Sequence, residues 1–147
     1  MKGMRVQIAS DHGGFEQKEE LAAWLSSQGC VVTNSGCPST ESVDYPDYAA
    51  IVANGVVAGE ADFGILVCGT GIGMAIAANK VDGIRAANVT SVEFAKLARQ
   101  HNNANIVTLS GRFVSLEENK AIIEAFLTTP FEAGRHERRV EKIMNLQ

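Results

Sequence analysis

The sequence has no long hydrophobic run, and this absence argues against a membrane-spanning protein. No apolar segment approaches the roughly 18 residues needed to cross a bilayer, and the N-terminal segment MKGMRVQIASDHGG lacks a signal-peptide pattern. Cysteine is scarce as well, with three residues in 147 and no spacing typical of a disulfide framework or a zinc site. We therefore expect a cytoplasmic protein with reduced thiols and no membrane partner.

Positive charge is in the minority. Thirteen Lys and Arg residues stand against 17 Asp and Glu, and the net charge of −4 argues against general nucleic-acid binding. The chain is 46% hydrophobic and 20% charged, which is ordinary for a globular domain. Its 147 residues suffice for one domain with a core but not for two, so we expect residues 1–147 to form a single domain.

Apolar segments with strand character alternate with segments of helical periodicity. The predicted strands are residues 6–9, 31–33, 63–67, 84–89 and 106–109. The first helix is predicted to end at Gly29 and the second to begin near Pro46. Capping boxes, Thr90 with Glu93 and Ser115 with Glu118, are predicted to open the next two long helices, of which the first ends near residue 100. After a connector at 128–134, residues 135–146 are predicted to form a C-terminal helix.

This alternation predicts an α/β fold. Strands that alternate with helices form a parallel sheet covered on both faces, and right-handed crossovers favour a doubly wound topology. We therefore expect a three-layer, Rossmann-like sandwich with a five-stranded parallel sheet.

A glycine-rich turn at residues 68–73 is the strongest local signal. The apolar strand 63–67 stops at Cys68, glycines follow at positions 69, 71 and 73, and residues 74–78 resemble the start of a helix. Such a turn leaves backbone N–H groups unpaired at the carboxyl end of a strand, where parallel sheets bind ligands. The spacing is not the dinucleotide-binding fingerprint, and the Lys-Ser/Thr pair of a P-loop is absent.

Cys68 admits two interpretations. A thiol at a helix N-terminus has its thiolate form favoured, which would suit a base or nucleophile near neutral pH. A free cysteine at a strand end can equally be a small buried hydrophobe.

Polar residues follow three of the predicted strands. Asp11 and His12 follow the first, Thr70 follows the third and Arg112 follows the fifth, so all should meet at the carboxyl edge of the sheet. His101 and Asn102 instead follow a helix and should lie at the opposite edge. Reaching the cluster would then require a second subunit or an unforeseen chain path.

The C-terminal helix should carry a cationic face, because Arg135, Arg138, Arg139 and Lys142 fall within roughly 100° of one another on a helical wheel. This face predicts an anion site, or else a solvated surface balanced by the acidic residues at 137 and 141. A potential base, a histidine, a carboxylate, a donor-rich turn and an arginine cluster together suit proton transfer on a phosphorylated substrate.

Several short motifs occur in order from the first strand to the last helix. They are SDHGGF at 10–15, DYP at 44–46, CGTGIG at 68–73, AANK at 77–80, GIRA at 83–86, HN at 101–102, GRH at 134–136 and RV at 139–140. Their sequence and spacing closely resemble the ribose-5-phosphate isomerase B family. The resemblance implies a homodimer or a dimer of dimers whose active sites take residues from both subunits, with the C-terminal helix near a partner.

The resemblance also implies a role for each candidate residue. Cys68 would shuttle a proton between C1 and C2 of the open-chain sugar, and His101 would protonate the ring oxygen as the furanose opens, assisted by Asp11. Tyr45 and Asn102 would line the pocket. The enediolate oxygen would be stabilised by Thr70 and by the turn residues Gly69, Gly71, Ile72 and Gly73. The phosphate would be bound by His12, Arg112, Arg135 and Arg139, with His136 a weaker candidate.

The same resemblance implies no metal and no cofactor. A branch of the family replaces the cysteine with a glutamate at the position of Met74, so this chain resembles the cysteine branch. Asn103 stands where Asp is common, and Leu-Ser-Gly at 109–111 precedes Arg112 where Phe-Gly-x is usual, which bears on substrate preference.

The leading hypothesis is a cofactor-independent isomerase of ribose 5-phosphate and ribulose 5-phosphate. Allose 6-phosphate, galactose 6-phosphate and a tetrose phosphate are alternative substrates for the same chemistry. A non-catalytic module that binds a phosphosugar or nucleotide, and a structural scaffold, are alternatives of other classes. Since every site position is present, the residues favour a self-sufficient homo-oligomer.

Overall fold

Five parallel strands form the centre of the computed structural model, which describes residues 1–146. They are β1 (Arg5–Ser10), β2 (Val31–Asn34), β3 (Phe63–Cys68), β4 (Ala86–Asn88) and β5 (Ile106–Ser110). Their order in the sheet is β2-β1-β3-β5-β4, and every neighbouring pair is parallel. The predicted five-stranded parallel sheet is therefore confirmed, and its three central strands are those that end at the candidate residues.

Helices cover both faces of the sheet. They are α1 (Phe15–Ser27), α2 (Tyr45–Val57), α3 (Ile72–Ala78), α4 (Val92–Asn102), α5 (Leu116–Thr128) and α6 (Arg135–Met144). Alternate β3 residues point to opposite faces: Ile65 and Val67 pack with α1, α4 and α5, whereas Leu66 and Cys68 pack with α2 and α3. The α/β sandwich of three layers is thus confirmed, and α6 lies outside it against α4.

Some predicted boundaries were wrong. The N-cap of α4 is Ser91 and not Thr90, because the Ser91 hydroxyl accepts a 3.2 Å hydrogen bond from the Phe94 N–H. The helix continues to Asn102 rather than ending near residue 100. β4 covers three residues instead of six, since the N–H of Arg85 bonds to the Asn105 side chain at 2.8 Å. The Ser115 cap is confirmed, with its hydroxyl accepting from Glu118 N–H at 3.1 Å.

The three cysteines are free, in agreement with the expectation of reduced thiols. Cys30, Cys37 and Cys68 are all buried free thiols, and burial raises the pKa of Cys30. Across residues 1–146, each helix is too short or too polar to serve as a bilayer-crossing segment.

Candidate functional site

The loops after β1, β3 and β5 are joined by backbone hydrogen bonds at the carboxyl edge of the sheet. The Asp11 N–H donates to Val67 C=O at 3.2 Å. On the other side, the Gly111 and Arg112 N–H groups donate to the carbonyls of Cys68 (2.8 Å) and Gly69 (3.2 Å). The structure thus brings together the strand-end residues that the sequence analysis grouped here.

The glycine turn wraps around the sulfur of Cys68. This residue is only 5% exposed, and its Sγ accepts a hydrogen bond from Gly71 N–H at 3.1 Å. Gly71 has a φ of +83°, and a Cβ on it would lie 3.0 Å from the Leu109 carbonyl, so the turn requires glycine there. The exposed Thr70 completes the turn by accepting from Ile72 N–H at 3.1 Å.

Asp11 and His12 are held in defined orientations beside this turn. The Asp11 carboxylate accepts from Gly13 N–H at 2.9 Å and Gly14 N–H at 3.2 Å, and so caps the short 3₁₀ turn His12–Gly14. The Nδ1 of His12 accepts from Val43 N–H at 3.2 Å. A neutral His12 therefore carries its hydrogen on Nε2, which makes that atom a donor.

Arg112 provides the positive charge at this edge. Its exposed guanidinium lies over the glycine turn, since a Cβ built on Gly69 would be 3.4 Å from its Nη1 and one on Gly13 would be 3.7 Å from its Nη2. Within residues 1–146 Arg112 forms no ion pair. The guanidinium is thus available to an anionic ligand.

Ser110 and Asn119 support the Arg112 loop, and the sequence analysis missed both roles. The buried Ser110 hydroxyl donates to the Gly69 carbonyl at 2.7 Å and accepts from Phe113 N–H at 2.9 Å. Asn119, wholly buried, donates to the Ser110 carbonyl at 2.9 Å and to Gln17 Oε1 at 2.8 Å. The one feature of the sequence that could have indicated this role was the amide side chain of Asn119 on the apolar face of α5.

Tyr45 and Asn88 border the turn from the other side. Tyr45 begins α2, and its ring covers Gly73 so closely that a Cβ there would lie 2.6 Å from the ring. Asn88 ends β4, and its Oδ1 accepts from Thr108 Oγ1 at 3.2 Å next to Gly71. The sequence analysis missed Asn88 because the predicted strand extended past it.

His101 and Asn102 lie at the amino edge of the sheet, as expected. They end α4, and Asn102 lines an open cavity of about 420 Å³ with Arg85, Ala86 and Met144 near the start of β4. Strands of five to six residues place the two edges about 17 to 20 Å apart. Because Cys68 ends β3 at the carboxyl edge and His101 lies in the last turn of α4 at the amino edge, one chain does not unite Cys68 with His101.

A second charged cluster surrounds His101. Its ring stacks on that of His136, with centroids 4.3 Å apart, and Glu132 Oε1 lies 3.9 Å and 3.8 Å from the two Nε2 atoms. Burial lowers the pKa of His136, and the charges of His101 and Arg135 lower it further. This favours a neutral His136 ring.

The cationic face of α6 is exposed. Arg135, Arg138, Arg139 and Lys142 all reach solvent, and in the described part of the chain none forms an ion pair with a carboxylate. Glu137 and Glu141, which the alternative of a solvated surface would use to balance this face, form no direct ion pair with it among residues 1–146. The chain thus presents two separate groups of polar residues, one with the thiol, turn and Arg112, and one with histidines and arginines.

Comparison with known proteins gives consistent matches over nearly the whole chain. A family model described as Ribose/Galactose Isomerase matches residues 6–143. Ribose-5-phosphate isomerase B of Escherichia coli (strain K12) is 45% identical over 97% of this chain and 96% of that protein. The crystal structure of a ribose 5-phosphate isomerase from Thermotoga maritima has a TM-score of 0.96 at 52% identity and covers 97% of this chain and 99% of its own.

A third similar structure contains a sugar phosphate. Ribose-5-phosphate isomerase B from Mycoplasma genitalium, with bound ribulose 5-phosphate, has a TM-score of 0.92 at 44% identity, covering 98% of this chain and 96% of its own.

Proposed function

Because the chain belongs to the ribose/galactose isomerase family, we propose that this isomerase interconverts D-ribose 5-phosphate and D-ribulose 5-phosphate without a cofactor. The observation that carries the proposal is the placement of a cysteine sulfur within a turn of backbone donors, directly beside an arginine that has no carboxylate partner among residues 1–146. The bound ribulose 5-phosphate in the Mycoplasma genitalium relative supports the same substrate. A cytoplasmic location and a role in pentose phosphate metabolism are part of the proposal, since a free catalytic thiol requires a reducing compartment.

Cys68 is the proposed base. Its sulfur takes the proton from C2 of the open-chain aldose and returns it to C1, while a hydroxyl proton moves from O2 to O1. The enediolate formed between these steps is stabilised by Thr70 and by the N–H groups of Gly69 and Gly73, while Gly71 and Ile72 of the same turn hold the Cys68 sulfur and the Thr70 hydroxyl in place. One preorganised donor to such an oxyanion is typically worth about 3 to 4 kcal/mol. Asp11 assists at the sugar hydroxyls.

Phosphate binding supplies orientation. Arg112 and the Nε2 donor of His12 lie at the carboxyl edge with Cys68, so they bind the phosphate or position the sugar from this side. Tyr45, which covers Gly73, lines the same pocket. Binding energy from a phosphate remote from C1 and C2 holds the reacting carbons against the base.

The active site is proposed to be shared between two copies of the chain. His101, which protonates the ring oxygen, and Asn102 lie at the opposite edge, with Arg135 and Arg139 on the neighbouring α6. A second copy that brings its amino edge to this chain's carboxyl edge supplies all four. Two exposed apolar side chains support this arrangement. Ile72 and Ile76 lie on α3 immediately after the glycine turn and are 53% and 62% exposed, as expected for apolar residues that a second subunit covers. The assembly is a homodimer or a dimer of such dimers.

A panel of phosphosugars tests the proposal. Purified protein should convert ribose 5-phosphate faster than allose 6-phosphate, galactose 6-phosphate or a tetrose phosphate, which remain the alternative substrates because of the unusual Leu-Ser-Gly at 109–111. If the protein converts another sugar phosphate but not ribose 5-phosphate, the proposed substrate is wrong and the proposed type of reaction stands.

Replacing the thiol separates an enzyme from a binding module. Cys68→Ala should abolish isomerisation while ribose 5-phosphate still binds in calorimetry, and Cys30→Ala, at a buried thiol in the other core, should leave turnover unchanged. Full activity of Cys68→Ala would refute the proposed base.

A further inference from the structure

His101, Glu132 and His136 form a compact group of ligand atoms, here termed the His-Glu-His cluster. One atom from each residue lies within 4.8 Å of the other two. Zinc bound by two histidines and one carboxylate is a common open site, with bonds near 2.0 to 2.1 Å that place the ligand atoms about 3.4 Å apart. The separations of 3.9 Å and 3.8 Å from Glu132 Oε1 to the two Nε2 atoms therefore need to contract by about half an ångström, and the widest separation in the group, up to 4.8 Å, by about 1.4 Å.

We propose that the His-Glu-His cluster binds a divalent ion of the zinc class, with water in the fourth position, and that the bound ion inhibits the enzyme. One adjustment is required. The two rings lie 16° from parallel, so their in-plane lone pairs run side by side and one ring must turn to meet the other at a metal. The His101 side chain is 40% exposed and free to turn, whereas that of His136 is 14% exposed and stays in place.

The backbone around the cluster is already ordered. The Glu132 N–H donates to Gln100 C=O at 3.1 Å, which ties the α5–α6 connector to the last turn of α4. The His136 N–H donates to Ala133 C=O at 2.9 Å at the start of α6. Arg99, buried under the connector, donates to Thr129 C=O at 3.3 Å. Because three separate segments hold the ligands before binding, little chain entropy is lost when the ion binds.

The charges near the cluster make binding reversible. Arg135 and Arg139 on α6 oppose a dication, and Glu132 is the one carboxylate among the three ligands. The ion should therefore be removable by a chelator, unlike a structural zinc.

Inhibition rests on the proposed function, whereas binding does not. A metal on Nε2 of His101 occupies the lone pair that would carry the proton to the ring oxygen, so the bound ion blocks ring opening. The thiol of Cys68 could also bind zinc, and an experiment must separate the two sites.

Cobalt(II) provides a probe that does not depend on activity. In full-length Cys68→Ala protein, Co²⁺ should produce the visible bands of a four-coordinate site, and Zn²⁺ should displace it. Glu132→Gln and His136→Gln in that background should each weaken Zn²⁺ affinity at least about tenfold. Glu137→Gln, an exposed carboxylate on the same helix, is the matched control and should bind as the parent does. If Zn²⁺ binds all these variants with equal affinity, or binds only when Cys68 is present, the proposed metal site is wrong.

A second measurement tests inhibition. Zn²⁺ should abolish turnover of the wild type, EDTA should restore it, and Glu132→Gln with an intact Cys68 should keep its activity at the same Zn²⁺ concentration. If Glu132→Gln is inhibited equally, the inhibitory part is wrong. If the wild type and Glu132→Gln are both inactive without added metal, the proposed function is wrong. The cobalt spectra still show whether the His-Glu-His cluster binds a metal.

Discussion

The proposed sharing of the active site between two copies predicts that two inactive variants of this protein restore each other's activity when mixed. Cys68 lies at the end of β3 and His101 at the end of α4, on opposite edges of a sheet about 17 to 20 Å across. Proton transfer requires donor and acceptor within roughly 3 Å of the reacting atom. A Cys68→Ala chain and a His101→Asn chain therefore each lack a complete site, but a mixed dimer has one site with both residues intact.

The expected recovery follows from counting sites. Random exchange makes half of the dimers mixed, and one of the two sites in each mixed dimer is complete. About a quarter of all sites, and about a quarter of wild-type turnover, should therefore return. A dimer of dimers gives the same fraction per site.

The assay is co-expression of the two chains with different tags, followed by measurement of ketose formation. Cys68→Ala mixed with Arg112→Ala is the matched control, because both residues belong to the same edge and no mixed dimer has a complete site. Activity of the Cys68 and His101 mixture that stays at the level of this control would refute the shared site.

Three further changes test the structure itself. Ser110→Ala removes the 2.7 Å bond to Gly69, so urea unfolding should show a loss of about 1 to 3 kcal/mol, and a change under about 0.5 kcal/mol would contradict the supporting role. The side-chain and backbone hydrogen bonds from Arg5 lower the pKa of Asp62, so its stabilisation is present at neutral pH and is lost as pH falls through the acid range. Since Asp62 is exposed, Asp62→Asn should cost only about 0.2 to 1 kcal/mol at pH 7 and progressively less toward pH 3; an equal cost at both would contradict this. Ala133 has a φ of +56°, so Ala133→Gly should raise the unfolding free energy by about 0.5 to 1 kcal/mol, and a decrease would show that the strain is offset elsewhere.

Local patterns predicted the fold well and its boundaries less well. Hydrophobic periodicity depends on near neighbours in the chain, which is why the five strands and the layer order were predictable. The choice of Ser91 over Thr90 as N-cap was not, because both hydroxyls can cap a helix and the decision depends on where β4 ends. For the same reason the predicted strand 84–89 continued one residue past Asn88, which stands at the end of β4.

The sequence alone determined the α/β fold, the glycine turn at Cys68 and the placement of Cys68 and His101 at opposite edges of the sheet, because each depends on the order of residues along one short segment or on the direction of parallel strands. Only the tertiary structure revealed the bond between Gln17 and Asn119, which are 102 positions apart, and the stacking of His101 on His136. Such contacts depend on how distant segments pack, and no local pattern of side chains specifies the distance between them.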